Sequence, residues 1–320
     1  MIEKELSVVV PVYNEELNIT PFLNRLILTL KEFCKNYEIL FVLDPCEDKT
    51  EEIILQSISD NPNIKLIKMS RRFGQPAAIL AGIKNSNSRY LILIDVDLQD
   101  PPELIPEMYK YANLGYEVVL AKRNKKIGEN FIRKIISWFG YKIISMLSNT
   151  NIPINIGEFR LISKRVIKYI NIMEENEFFL RGIISYIGFK QKIIYFDRQP
   201  RCKGKTKYNK YFGSLWIGLN GVFSFSTTPL HIISVISFGC FILSFFVLIF
   251  YMFLTYYNFF VFKYQFFLII LIFFVSSLIF FSQGIISEYL ARLIGDIKKR
   301  PRFIIDKKYN FEKEKDTELL

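Results

Sequence analysis

Two aspartates one residue apart, Asp95 and Asp97, follow the apolar run Leu91–Ile94 in the stretch YLILIDVDLQDPPE, residues 90–103. Carboxylates this close cannot both stay ionised in a dry site unless something positive joins them. A hard divalent cation carrying phosphates suits them, because Mg²⁺ or Mn²⁺ sits on one or two carboxylates and takes further oxygens from the substrate. The plainer alternative is that Asp97 to Asp100 form a turn and cap the helix that follows. What else the chain brings to the same place decides between them.

A short apolar run bounded by the turn-forming Asn85–Ser88 and by acids reads as a fully buried strand of a parallel sheet. In open α/β sheets, ligands bind beyond the carboxyl ends of the strands, where these acids emerge. Upstream, the patterning predicts strands over Leu6–Tyr13, Tyr37–Leu43 and Asn63–Met69. Helices are predicted over Glu16–Phe33, Asp48–Ser59 and the alanine-rich Pro76–Asn85, which is suited to close packing on a sheet. Pro11 cannot donate to a ladder, so the first strand should end or bend there. Alternation of this kind specifies an α/β fold with a mostly parallel sheet and right-handed crossovers. It places Asn14, Asp44, Arg71 and Asp95 at one sheet edge. Neither a G-x-G-x-x-G nor a G-x-x-x-x-G-K-[ST] motif is present, which argues against a dinucleotide dehydrogenase and a P-loop ATPase.

The 320 residues carry 42 Lys and Arg against 31 Asp and Glu, a net charge of +11, and 51% are hydrophobic. Such charge suits nucleic acid, anionic lipid or a phosphorylated substrate; the positions of the cations decide for the membrane. Arg201–Lys210 reads RCKGKTKYNK, and no charged residue follows from Tyr211 to Phe262. Residues Tyr211–Thr227 are expected to lie in the lipid interface as helices. His231–Tyr256 and Tyr264–Ser287 are each long enough to cross a hydrocarbon layer of roughly 30 Å, giving a two-helix hairpin. Cations before the hairpin, and Lys298, Lys299, Arg300 and Arg302 after it, place both termini in the cytoplasm by the positive-inside rule. These clusters would also attract anionic headgroups. Gly239 and neighbouring small residues offer a face for self-association of the hairpin. Cys34, Cys46, Cys202 and Cys240 show no paired spacing, and His231 is the one histidine, so a reducing compartment is expected and zinc is not. The apolar run at the N-terminus is too short for a signal peptide.

The segments VVVPVYNEE (8–16), SRRFGQPAAILAG (70–82), IDVDLQDPPE (94–103), GYEVVLAKR (115–123), GEFRLISKRVI (157–167) and RGIISYIGFKQ (181–191) occur in an order that resembles family 2 glycosyltransferases of the GT-A fold. The likeness is narrower still to the polyisoprenyl-phosphate glycosyltransferases, the bactoprenol glucosyltransferase and dolichol-phosphate mannose synthase group. It continues through RCKGKTKY (201–208), FSFSTTPLHI (223–232) and SEYLARLIGDIKKRPRFII (287–305). Two departures stand out: Asp44-Pro45-Cys46 replaces the Asp-Gly-Ser of most relatives, and Gly157-Glu158-Phe159-Arg160 replaces Gly-Asp-Phe-Arg.

The resemblance implies a cytoplasmic GT-A domain over residues 1–208, interfacial helices over 209–229, a transmembrane hairpin over 230–288 and a basic cytoplasmic tail over 289–320, in the inner (plasma) membrane. It implies transfer from a nucleotide-sugar, UDP-glucose or a UDP-N-acetylhexosamine, to undecaprenyl or another polyisoprenyl phosphate, with inversion at the anomeric carbon and with no nucleic-acid partner. Asp97 is expected as first ligand of Mg²⁺ or Mn²⁺, with Gln99 beside it and Asp95 on the metal or a ribose. Asp44 would take a hydrogen bond from the base beside the turn that holds Pro11, Tyr13 and Glu15. Arg72, Gln75 and Val96 would complete the donor pocket. Arg123 and Arg160 would clamp phosphates, Glu158 would orient the acceptor or act as a weak base, and Arg201, Lys205 and Lys207 would gather the lipid phosphate. A processive polysaccharide synthase would need a Q-x-x-R-W motif and more spans. A non-catalytic nucleotide-sugar-binding membrane protein is the other alternative; the intact D-x-D-x-Q argues against it.

Overall fold

The computed structural model describes residues 3–124, 156–173, 178–197 and 264–311, with scattered positions between 233 and 256. Strands β1 (Lys4–Val12), β2 (Tyr37–Leu43), β3 (Ile64–Met69) and β4 (Ser88–Leu93) alternate with helices α1 (Ile19–Phe33), α2 (Thr50–Asp60) and α3 (Gln75–Asn85). All fall within a few residues of the stretches the patterning marks. After α4 (Ile105–Asn113) come β5 (Val118–Arg123), β6 (Ile156–Ser163), α5 (Lys164–Ile172), α6 (Leu180–Ile187) and β7 (Gln191–Phe196). A helix of 34 residues, α7 (Tyr264–Ile297), and a last strand, β8 (Ile305–Tyr309), follow.

The eight strands form one sheet in the order β7-β5-β6-β4-β1-β2-β3-β8. The β1, β2, β3 and β4 pairings are parallel, as the helical crossovers require, and so is β5 with β7. β6 lies antiparallel between β4 and β5, and β8 antiparallel on β3. Two apolar layers sandwich the sheet. On one face Leu6, Val8, Val10 and Val12 meet Phe22, Leu26 and Leu30 of α1, Ile54 of α2 and Met108 of α4. The other buries Val9, Leu40 and Val42 beneath α3, α5 and α6. Ile19, Phe22, Leu23, Leu26 and Leu30 recur at helical spacing, which is why α1 has one buried side.

Pro11 neither ends nor breaks β1, which runs on to Val12. The last β1–β4 partners are Val9 and Leu93, so the proline lies beyond the point where β4 leaves, and its missing N–H costs no ladder bond on that side. α3 lies tight against the sheet at Gly82, where a Cβ would stand 2.2 Å from Val9 Cγ1.

Within α7, the segment Phe274–Ile297 is long and apolar enough to cross a membrane, and none of it is buried against the described chain. Large side chains such as Phe274, Phe280 and Phe281 are exposed. At 1.5 Å per residue α7 is about 51 Å long, against roughly 30 Å of hydrocarbon. It therefore carries a polar end, where Arg292 Nη2 pairs with Glu288 Oε1 at 2.9 Å. The earlier half of the expected hairpin falls mostly outside the described residues, as do the expected interfacial helices. β8 is a strand that the patterning did not reveal. Ser70 N–H donates to Ile304 O at 2.9 Å, and Asn310 Nδ2 to Pro62 O and Ile64 O, which fastens the segment after α7 to the sheet edge.

Candidate functional site

The turn between β3 and α3 crosses the carboxyl ends of neighbouring strands. Gly74 has φ 89° and ψ 167°, a conformation open to glycine and costly for other residues. It lets the Phe73 and Gly74 N–H groups donate to Asp44 Oδ1 (3.1 Å) and Oδ2 (2.9 Å). Asp44 is 3% exposed, so this carboxylate anchors the turn to the end of β2. One residue on, Gln75 Nε2 donates to Asp95 Oδ1 at 2.8 Å. The start of α3 thus ties the end of β2 to the end of β4.

Beyond β4 the chain turns tightly. Asp97 Oδ1 accepts from the Gln99 N–H at 3.1 Å, and Leu98 between them has φ 59°. A left-handed leucine is strained; burying its side chain in the core offsets the strain and holds the loop in one shape. The turn expected as the plain alternative is therefore present, and it serves to present the acids. Asp100, 1% exposed, accepts from Arg123 Nη2 at 3.2 and 3.4 Å. Burial, and then the charges of Asp100, Asp97 and Glu158, push the Asp95 carboxyl up to about 7, with Arg123 opposing.

This crowding of acids fits a divalent cation: the oxygen donors are hard, and a positive ion would relieve the strain on Asp95. No group of three or more His, Cys, Asp or Glu side chains forms a ready cage among the described residues. Among the described residues the buried Nε of Arg123 has no hydrogen-bond partner, and it lies beside the same acids. Gly157 makes room for this guanidinium, since a Cβ there would lie 3.0 Å from Arg123 Nη2.

On β6, Glu158 is held between two guanidinium groups, Arg160 Nη2 at 3.1 Å and Arg181 Nη2 at 2.9 Å. Burial alone would raise its carboxyl, but Arg160, Arg181 and Arg123 together outweigh it and hold Glu158 below the usual carboxylate range. The two guanidinium groups thus favour its ionised form. Arg160 is 1% exposed and donates to Gly157 O (2.6 Å) and Glu158 O (3.1 Å) as well as to the Glu158 carboxylate. Arg160, expected at a phosphate, here spends its guanidinium on the backbone of its own strand and on Glu158.

The loops after β1 and β2 are laced together. Asn14 N–H donates to Cys46 Sγ (3.1 Å), which donates to Asp44 O (3.1 Å), so the departure from Asp-Gly-Ser supplies a thiol cross-link. Glu15 N–H donates to Thr50 Oγ1 at 2.9 Å. The Arg72 guanidinium lies 4.1 Å over the Tyr13 ring, forming a flat shelf beside this turn. Val96 is in the core, so only its backbone is left for a ligand.

The structure thus brings Tyr13 and Arg72 together, and separately joins Asp44, Gln75, Asp95, Asp97 and Arg123 through neighbouring turns. Arg201, Lys205 and Lys207 lie outside the described residues. Two further participants, Asp100 and Arg181, carry no signal in the sequence that singles them out. Asp100 reads as one more acid before two prolines, and Arg181 meets Glu158 only because the fold sets α6 beside β6.

A family model described as Glycosyl transferase family 2 matches residues 7–170. An uncharacterised glycosyltransferase of Synechocystis sp. is 34% identical over 309 residues, covering 96% of this chain and 96% of its own. A prophage bactoprenol glucosyl transferase homolog of Escherichia coli is 35% identical, covering 94% of this chain and 98% of its own. The bactoprenol glucosyl transferase of Shigella phage SfII is 33% identical over 95% and 98%. Glucosyl-3-phosphoglycerate synthase from Mycobacterium tuberculosis, solved with Mn²⁺, UDP-glucose and phosphoglyceric acid, shares the fold: TM-score 0.50 at 13% identity, covering 71% of this chain and 79% of that one.

Proposed function

The chain belongs to glycosyl transferase family 2 and is a glycosyltransferase, and on that premise we propose that it moves a hexose from a nucleotide-sugar to a polyisoprenyl phosphate at a membrane surface. The names of near full-length relatives support the acceptor, a bactoprenol-type phosphate. UDP-glucose or a UDP-N-acetylhexosamine is the proposed donor. The observation that carries the reading is the Gln75–Asp95 hydrogen bond, which joins the α3 start to the D-x-D turn beside the Arg123–Asp100 pair.

An acceptor phosphate oxygen attacks the anomeric carbon as the bond from that carbon to the donor diphosphate breaks. The nucleoside diphosphate leaves with the bonding electrons, and the anomeric configuration inverts. The acceptor oxygen is already anionic, so positioning and charge stabilisation matter more than a base. This agrees with a Glu158 held ionised between two arginines. Asp97 and Asp95, with Gln99, would hold Mg²⁺ or Mn²⁺, which supplies Lewis-acid stabilisation of the departing diphosphate. Arg123, paired with Asp100, turns its guanidinium to the same charge. Tyr13 and Arg72 form a shelf for the base. Asp44 holds the turn that carries Gln75, and each of its oxygens keeps a lone pair for a base N–H. Arg201, Lys205 and Lys207 gather the lipid phosphate. α7 and the preceding apolar segment form the hairpin, with residues 1–208 and the basic tail on the cytoplasmic side.

Membranes carrying the Asp97→Asn chain, supplied with radiolabelled nucleotide-sugar and undecaprenyl phosphate, test the reading. Transfer should fall by about a hundredfold or more; near-wild-type transfer removes the assignment.

A further inference from the structure

A cavity of about 500 Å³ opens where the polar end of α7 meets the start of α3. Four cations line it, Arg71, Lys298, Arg300 and Arg302, and no carboxylate does among the described residues. Arg71 is stacked 4.3 Å over Phe73, while Arg302 donates to Met173 O at 3.4 Å. Among the described residues, none of Arg71, Lys298 and Arg300 has a carboxylate partner. Like charges gathered around one space repel, so something fixed must hold them there. Backbone does so: Lys298 N–H closes the last turn of α7 on Ile294 O, and the chain beyond is pinned by the Ser70–Ile304 bond and by β8 on β3. Lys299, at φ 46°, makes the sharp exit from the helix that turns Arg300 and Arg302 towards α3.

An excess of positive charge held by rigid elements is an anion site, and three of its four cations are arginines suited to bidentate phosphate contact, two of them on the pinned segment. The rest of the lining, including Phe73, Phe178 and Ile294, is apolar and suits the glycerol and first methylenes of a lipid. The cavity sits at the polar end of a helix long and apolar enough to span, where headgroups lie. It is separate from the diphosphate site: Gln75 turns towards Asp95, whereas Pro76 and Ala77 line the cavity.

We propose that this cavity is a second phosphate site, which takes the headgroup of an anionic membrane phospholipid and ties the start of α3 to the bilayer. It rests on the membrane placement of α7 given above, and not on the identity of the donor. The probes are phosphatidylglycerol, phosphatidylcholine, undecaprenyl phosphate and inorganic phosphate, each titrated against the purified full chain in neutral detergent with bound lipid read by native mass spectrometry. Phosphatidylglycerol should bind saturably and phosphatidylcholine should not. The double variant Lys298→Gln/Arg300→Gln should bind it roughly thirtyfold more weakly, at about fivefold per cation near an anionic surface, with UDP binding in Mn²⁺ unchanged as the check on folding. Arg71→Gln, on a different segment, should weaken it in the same direction. Unchanged phosphatidylglycerol affinity in both variants overturns the proposal. Inorganic phosphate competing at equal concentration overturns the lipid source, and undecaprenyl phosphate displacing phosphatidylglycerol with the same variant dependence makes this the acceptor site instead of a second one. Headgroup binding by a chain that transfers no sugar upholds the site while sinking the functional reading, so the two fail separately.

Discussion

Gln75 Nε2 stands 2.8 Å from Asp95 Oδ1, so the first residue of α3 holds the first acid of the D-x-D turn. A hydrogen bond to a charged group contributes about 1.5–3 kcal/mol. Gln75→Ala should therefore weaken UDP binding in Mn²⁺ about tenfold or more by calorimetry while leaving the fold intact. Equal affinity in the variant would mean that Asp95 is oriented by the strand alone.

Asp95 gives the metal-free protein a pH signature. Its folded value, about 7, lies above its ordinary value of 3.8. The fold thus favours its protonated form, and the stability this contributes is present at low pH and lost as pH rises from about 4 through 7. Between pH 4 and 8 the wild-type melting midpoint should fall relative to that of Asp95→Asn, and the difference should close when Mn²⁺ and UDP are added at pH 8. Parallel curves without ligand would contradict the crowding of acids described here.

Glu158 has the opposite sign. The arginines hold its carboxyl below the usual range, so the stability it contributes is present above its unfolded value and lost as pH falls through the lower folded one. Glu158→Gln should cost stability, because two guanidinium groups lose their counter-charge, yet leave the pH dependence of kcat unchanged. A lost alkaline or acidic limb in that profile would restore Glu158 as a base.

Gly82→Ala places a methyl group 2.2 Å from Val9 Cγ1, inside the packed face of the sheet. Overpacking of this kind costs about 1–3 kcal/mol. The melting midpoint should drop by several degrees, with UDP affinity preserved in the protein that remains folded.

Much of this was legible beforehand. The first four strands and three helices carry short apolar runs with clear punctuation, and the acids at their ends were visible as strand-end acids. Partnership was not. Whether Arg160 faces a phosphate or its own backbone depends on β6 entering antiparallel beside β4, a pairing between residues about seventy apart that no local pattern encodes. The same holds for Arg181 on Glu158 and for Arg123 on Asp100. β8 escaped notice for a different reason: IDKKY has too few apolar residues to stand out, and its strand character comes from the edge it joins.

That edge sets an order of events during synthesis. The ribosome finishes β3 at Met69, yet the strand that covers it starts at Ile305, beyond a helix long and apolar enough to cross a membrane. At about 5–20 residues per second the exposed border of β3 must wait on the order of ten to fifty seconds for its partner. A bare border is a template for any passing strand, so a nascent chain stalled at the translocation step is the form of this protein most exposed to aggregation.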